Sequence, residues 1–297
     1  MNEKITESQN PNSLKLDSLS TNKIIELIND EDSKISLLIK ENILKISKLV
    51  EQTVKNIKKG GRLIYVGAGT SGRLGVLDAS ECPPTFSVNK KLVVGIIAGG
   101  KKALYKSIEG AEDNLELATY DFKKNKINKK DVIVGITTSG TTPYVNQFLK
   151  ESKKIGSFTS IITSNKIKNK KYIDIKIECI VGPEVITGST RMKAGTATKM
   201  ILNMISTTTM IKLNKVYKNL MVDLKINNDK LLNRAIKIIT SLTNLNQKES
   251  QKLLKKAKGE VKTAILMHLN EKEYKEAKFL LLKNRGNLRQ SLKEKNE

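Results

Sequence analysis

The stretch that most constrains this chain is 63–81, Leu-Ile-Tyr-Val-Gly-Ala-Gly-Thr-Ser-Gly-Arg-Leu-Gly-Val-Leu-Asp-Ala-Ser-Glu. Residues 63–66 are apolar, the run stops at Gly67-Ala68-Gly69-Thr70-Ser71-Gly72, and a helical pattern follows at once. This order predicts strand, tight turn, helix. Such a turn suits a phosphate: its glycines admit close backbone approach, the first N–H groups of the helix point at the anion, and Thr70 and Ser71 add hydroxyl donors. At the far end of the helix stands Glu81, a candidate for chemistry.

The design recurs at 132–136, an apolar run that enters Thr137-Thr138-Ser139-Gly140-Thr141-Thr142-Pro143 and then a helix expected over 144–155. Further buried strands are expected over 92–97, 158–162 and 173–180. Continuously apolar strands alternating with helices predict an α/β fold, a five-stranded parallel doubly wound sheet. In such sheets ligands sit at the carboxyl ends of the strands near a switch point, where both hydroxyl-rich turns would fall.

Outside the sheet, the first twenty residues are polar and read as extended until Ser20 or Thr21 caps a short helix. Ile35, Ile39, Ile43, Ile46, Val50, Val54 and Ile57 recur every three or four residues and predict one long helix closed by Gly60-Gly61. Gly188-Ser189-Thr190-Arg191-Met192-Lys193-Ala194-Gly195-Thr196 reads as a capped helix start carrying two cations, and another helix is expected over 229–242. Apolar cores at 253–254, 265–269 and 279–282 predict three short helices in a small C-terminal bundle. The expected segments are 1–60 (N-terminal helices), 61–243 (the sheet domain with its following helices) and 244–297 (C-terminal helices).

Composition removes several function classes. The net charge of +24 invites a nucleic-acid reading, but the 54 basic residues are 48 Lys and six Arg spread along the chain, aromatics are 4%, and there is no Trp. Base readout favours Arg forks and single-strand binding favours aromatic platforms, so no nucleic-acid partner is expected. Cys82 and Cys179 stand in no metal spacing and His268 is the single histidine, so a zinc site, a structural disulfide and His-based catalysis are not expected. Cys82 without a His partner reads as a small buried side chain. No run of 18 apolar residues occurs and the polar start Met1-Asn2-Glu3-Lys4 carries no signal-peptide core, so a cytoplasmic protein without membrane contact is expected.

The first turn satisfies G-x-G-x-x-G, the dinucleotide fingerprint. That fold also wants an acid at the end of the second strand, where this chain has Ile97-Ala98-Gly99-Gly100. A phosphate-bearing ligand fits better, because the second turn repeats the chemistry. Among the acids Glu81, Glu109, Glu112 and Asp113, Glu81 stands out: Ser80-Glu81-Cys82-Pro83-Pro84 reads as a sharp turn that would half-bury it and raise its pKa. Arg191 and Lys193 fit either substrate clamps or an exposed helix face.

Three long runs resemble the N-acetylmuramic acid 6-phosphate etherase family: residues 67–86 with their Gly-Ala-Gly-Thr-Ser-Gly start, Glu109-Gly110-Ala111-Glu112-Asp113, and Val181-Gly182-Pro183-Glu184-Val185 running on to Thr196. Thr6-Glu7, Asn10-Pro11, residues 16–21 and residues 215–223 are similar to that family too, so the resemblance covers about residues 6–245. It implies a sugar isomerase (SIS) α/β sandwich, a small C-terminal domain similar to ubiquitin-associated folds, a homodimer, and no metal or cofactor. The implied reaction cleaves a lactyl ether with water to give N-acetylglucosamine 6-phosphate and D-lactate, in recycling of cell-wall sugar. The implied proton donor is Glu81 and the second catalytic carboxylate Glu112. Substrate and phosphate binding carries over to Gly69, Thr70, Ser71, Ser139, Gly140 and Thr142, with Arg191 and Lys193 completing the site. Two positions depart from the family pattern: Thr141 replaces an arginine and Thr198 a glutamine. An aldose-ketose isomerase and a non-catalytic phosphosugar sensor are the competing readings on the same scaffold.

Overall fold

The structure, a computed structural model, describes residues 4–294; most of the polar start, residues 1–3, and residues 295–297 of the C-terminal segment lie outside the described residues. The chain divides into two compact units, one of residues 1–80 and 90–206, the other of residues 81–89 and 207–297. This partition differs from the three segments expected from sequence. Its physical basis is the packing of the helix at 229–243 against the helices that follow it.

The first unit opens with α1 (Thr21–Ser33), α2 (Ile35–Lys40) and α3 (Ile43–Ile57) and continues with β1 (Leu63–Gly67), α4 (Gly69–Phe86, of which residues 69–80 belong to this unit), β2 (Val93–Ile97), α5 (Leu115–Lys124), β3 (Val132–Ile136), α6 (Pro143–Lys154), β4 (Phe158–Thr163), β5 (Ile175–Glu178) and α7 (Lys193–Lys212, of which residues 193–206 belong to this unit). The strands form one parallel sheet in the order β2-β1-β3-β4-β5. Every residue of β1 and β3 is buried, as strands covered on both faces require. Ile64 and Val66 pack with Tyr144, Val145, Phe148 and Leu149 of α6, while a Cβ added at Gly75 of α4 would stand 3.0 Å from Tyr65. Helices therefore cover opposite faces, because successive strand residues point opposite ways. In this order the topological switch lies between β1 and β3. Gly67 pairs with Ile136, so the chain leaves both strands at one level and the two hydroxyl-rich turns lie side by side.

The second unit holds α8 (Asp229–Thr243), α9 (Gln247–Lys256), α10 (Val261–Leu269), α11 (Tyr274–Lys283) and α12 (Leu288–Lys293). Ala235, Ile236 and Ile239 of α8, Leu254 of α9, Ile265 of α10, Leu281 of α11 and Leu288 of α12 share one core. Among the described residues four helices stand where three were expected after residue 244, and Phe279 and Leu282 are exposed rather than core.

Three local expectations are corrected. The N-terminal twenty residues are not simply extended: 3-10 turns occur at Ile5–Glu7, Pro11–Ser13 and Leu16–Ser18, the second started by the Asn10 side chain accepting from Asn12 N. The long helix breaks at Glu41-Asn42, where buried Asn42 turns its amide to donate to Glu178 O at 3.1 Å. The chain does not turn sharply at Pro83-Pro84. Helix α4 runs through both to Phe86, since proline's fixed φ is helical, and Glu81 is exposed rather than half-buried. Among the described residues, no helix is long and apolar enough to cross a membrane.

Candidate active site

The carboxyl ends of β1 and β3 open into a cavity of about 320 Å³ in the first unit, lined by both turns and by residues from three other segments. From the first turn come Ala68, Gly69, Thr70 and Ser71, from the second Thr137, Thr138, Ser139 and Thr142, and Glu112, Thr6, Glu7, Gly188 and Thr190 close it. Eight of these side chains are hydroxyls.

Each wall has a local cause. The first turn is tight because Gly72 lies against β1 and β2: a Cβ there would meet Ile97 Cγ1 at 2.6 Å and Gly67 O at 2.8 Å. Helix α4 starts at Gly69 and α6 at Pro143, so two helix N-termini lead from the turns, each favouring negative charge. In the second turn Thr137 and Thr142 hydroxyls lie 2.7 Å apart, and Ser139 Oγ accepts from Thr141 N at 3.2 Å and Thr141 Oγ1 at 3.1 Å. Lys4 Nζ donates to Thr141 Oγ1 at 2.8 Å, which brings an ammonium beside the position where the family pattern has arginine.

Glu112 sits on the loop before α5, with its carbonyl accepting from Tyr144 N at 2.9 Å. Tyr144 is itself buried, and its hydroxyl donates to Asp121 Oδ2 at 2.6 Å. Burial, then the adjacent Asp121 carboxylate, holds that phenol well above its usual pKa, so it stays a neutral donor. The backbone of Glu112 is thus fixed while its carboxylate is exposed toward the cavity.

A buried ionic cluster positions the remaining wall. Glu184 accepts from Lys193 N and Ala194 N, both at 2.9 Å, and so caps the start of α7 from nine residues upstream. Burial pushes the Glu184 carboxyl up, against those two N–H bonds and the Lys193 charge. Lys193 Nζ pairs with Glu31 of α1, which also accepts from Asn10 Nδ2 at 3.0 Å, Asn12 Nδ2 at 3.2 Å and Lys34 Nζ at 2.6 Å. Asn10 reaches Pro183 O at 3.2 Å. One carboxylate therefore ties residues 10–12 and the 183–193 loop together, and these carry Thr6, Glu7, Gly188 and Thr190.

Of the residues named from sequence, Gly69, Thr70, Ser71, Ser139, Thr142 and Glu112 line one cavity. Gly140 is buried beneath the turn, its carbonyl accepting from Lys170 Nζ at 3.1 Å. Arg191 is exposed outside the lining, and Lys193 points into the core toward Glu31 rather than into the cavity. Glu81 falls in residues 81–89 of the second unit and is not part of the lining. Thr6, Glu7, Thr137, Thr138, Gly188 and Thr190 line the cavity without having been singled out for a role. The repeated hydroxyls could have marked Thr137 and Thr138, but no local signal marks the others. Among the described residues no group of three or more His, Cys, Asp or Glu side chains is arranged to hold a metal ion.

The parallel sheet with a hydroxyl-lined cavity at its switch point is that of a sugar isomerase-type (SIS) domain, as the family-model match shows. Residues 45–153 match the family model of the glucokinase regulatory protein N-terminal SIS domain, and residues 218–262 match that of the C-terminal lid domain of glucokinase regulatory protein. Over 290 residues the chain is 48% identical to an N-acetylmuramic acid 6-phosphate etherase of Clostridium beijerinckii, covering 97% of this chain and 95% of the relative. Relatives of the same name from Histophilus somni (48% identity, 97% and 95% coverage) and a Geobacillus species (47%, 97% and 98%) agree. The chain belongs to the N-acetylmuramic acid 6-phosphate etherase family.

Proposed function

We propose that the protein is a carbon–oxygen lyase that removes D-lactate from N-acetylmuramic acid 6-phosphate with water, leaving N-acetylglucosamine 6-phosphate, in cytoplasmic recycling of cell-wall sugar. The observation that carries this reading is a cavity of hydroxyls and carboxylates at the switch point of a chain whose near full-length relatives bear that name. The ether at C3 resists direct hydrolysis. In the open-chain sugar, however, the C1 aldehyde acidifies the C2 proton. A base removes that proton, the lactyl oxygen leaves C3 with a proton from an acid, and water adds to the resulting enal at C3 while C2 regains a proton. Glu112 moves the C2 proton, Glu81 protonates the leaving lactate, and Gly69, Thr70, Ser71, Ser139, Gly140 and Thr142 seat the phosphate. Arg191 contributes charge at the rim of the site.

In this reading the protein acts as a homodimer, as its resemblance to the family implies. The reading is tested by incubation with N-acetylmuramic acid 6-phosphate in deuterated water. Released D-lactate together with deuterium at C2 is the expected result. Exchange without lactate indicates an isomerase, and binding without either indicates a sensor; each rejects the lyase.

Ser139→Ala is expected to weaken sugar-phosphate binding by about 1 to 3 kcal/mol, because the hydroxyl that organises the second turn is lost. Titration calorimetry with N-acetylglucosamine 6-phosphate reads this, and an unchanged dissociation constant removes Ser139 from the phosphate seat.

A further inference from the structure

The cavity is unlike the rest of the chain in charge. In a protein with a net charge of +24, no lysine or arginine is among the described residues that line it, and the two charged ones among them are Glu112 and Glu7. Glu112 has a part in the reaction above. Glu7 has none.

Glu7 is not a loose surface acid. Its neighbour Thr6 is 1% exposed and its Oγ1 accepts from Asn165 Nδ2 at 3.0 Å, while the same amide donates to Thr138 O at 2.9 Å. Residues 5–7 are thereby pinned to the second hydroxyl-rich turn. Three residues on, Asn10 anchors the chain to Glu31 and Pro183. The Glu7 carboxylate lies across the cavity wall at Gly188, where an added Cβ would stand 3.3 Å from Oε2. Gly188 has φ +76°, which a side chain would strain, so the glycine both shapes the loop and leaves room for the carboxylate. Among the described residues the Glu7 side chain has no hydrogen-bond or ion-pair partner, although lysines abound.

A carboxylate beside a phosphate seat is repulsive, so its use must lie at the other end of the ligand. Ionised carboxylates only accept hydrogen bonds, and they accept strong, charge-assisted ones from hydroxyls. The hydroxyl walls can donate or accept; Glu7 adds a fixed acceptor-only group that suits a polyol chain. We propose that Glu7 is a sugar-orienting residue, accepting hydrogen bonds from the hydroxyls of a phosphosugar whose phosphate sits on the two turns. This rests on the phosphosugar reading of the same cavity and assigns Glu7 no proton transfer.

The test compares two probes, N-acetylglucosamine 6-phosphate and inorganic phosphate, on the full chain and on Glu7→Ala and Glu7→Gln. Glu7→Ala is expected to lower affinity for the sugar phosphate about 10- to 100-fold, as loss of hydrogen bonds to a charged group implies, and Glu7→Gln less. Affinity for inorganic phosphate should stay or rise, since a negative charge is removed. In turnover assays KM rises while the pH limbs of kcat stay in place. Equal loss of both probes, no loss of either, or a vanished pH limb with KM unchanged would each overturn the proposal, as would failure of the unaltered protein to bind the sugar phosphate. Lactate release is not used in the binding test, so the etherase reading can fail while this one stands.

Discussion

Glu112→Gln is expected to lower turnover of N-acetylmuramic acid 6-phosphate by about 10²- to 10⁴-fold, the usual worth of a positioned proton-transfer group, with affinity for N-acetylglucosamine 6-phosphate kept. The amide has the shape of the acid but cannot take a proton. Its backbone would stay in place, because the Glu112 carbonyl bond to Tyr144 N and the Tyr144–Asp121 pair beneath it do not involve the side chain. Deuterium exchange at C2 should fall in step with lactate release, as both need the same proton removed. Glu81→Gln should behave differently: lactate release is lost while C2 exchange continues, because the missing step is protonation of the leaving oxygen. Full turnover and exchange in Glu112→Gln would remove this carboxylate from the chemistry.

What sequence could tell depended on how far apart the deciding residues lie. Strand β3 falls on the expected run and β1 ends at its glycine, because an apolar run stopped by a Gly/Thr/Ser turn is a local signal. The switch point followed, since both turns fall at adjacent strand ends. The break between α2 and α3 was not legible, because it is made by Asn42 bonding to Glu178, 136 residues away. Lys193 and Arg191 look alike in sequence, two cations at a helix start, yet one is buried on Glu31 and the other exposed. The difference comes from α1, 162 residues earlier. Thr6 and Glu7 belong to a matching motif but gave no hint of a place in the cavity, because Asn165 and Thr138 put them there.

Lys193→Met is expected to cost on the order of 3 to 5 kcal/mol of stability, the range for breaking a buried pair and leaving its partner charge behind. The side chains of Lys193 and Glu31 are 4% and 5% exposed. Lys34, the other cation on Glu31, is 55% exposed, and Lys34→Ala should cost no more than about 1 kcal/mol. Burial alone would push the Glu31 carboxyl up, but hydrogen bonds from Lys193, Lys34 and Asn12 outweigh it and hold the pKa down at about 2, against 4.5 in the unfolded chain. A depressed carboxyl contributes its stability above the unfolded value and loses it as pH falls through the folded one. Glu31 should therefore supply on the order of 3 kcal/mol above pH 4.5, declining toward pH 2. Denaturant unfolding between pH 7 and pH 2 reads this directly, and Glu31→Gln should flatten the acid slope. Because the same cluster holds residues 10–12 and the 183–193 loop, Lys193→Met should also raise KM at temperatures where it is still folded. Unchanged stability with sugar-phosphate affinity abolished would instead return Lys193 to the substrate-clamp role that its motif implies.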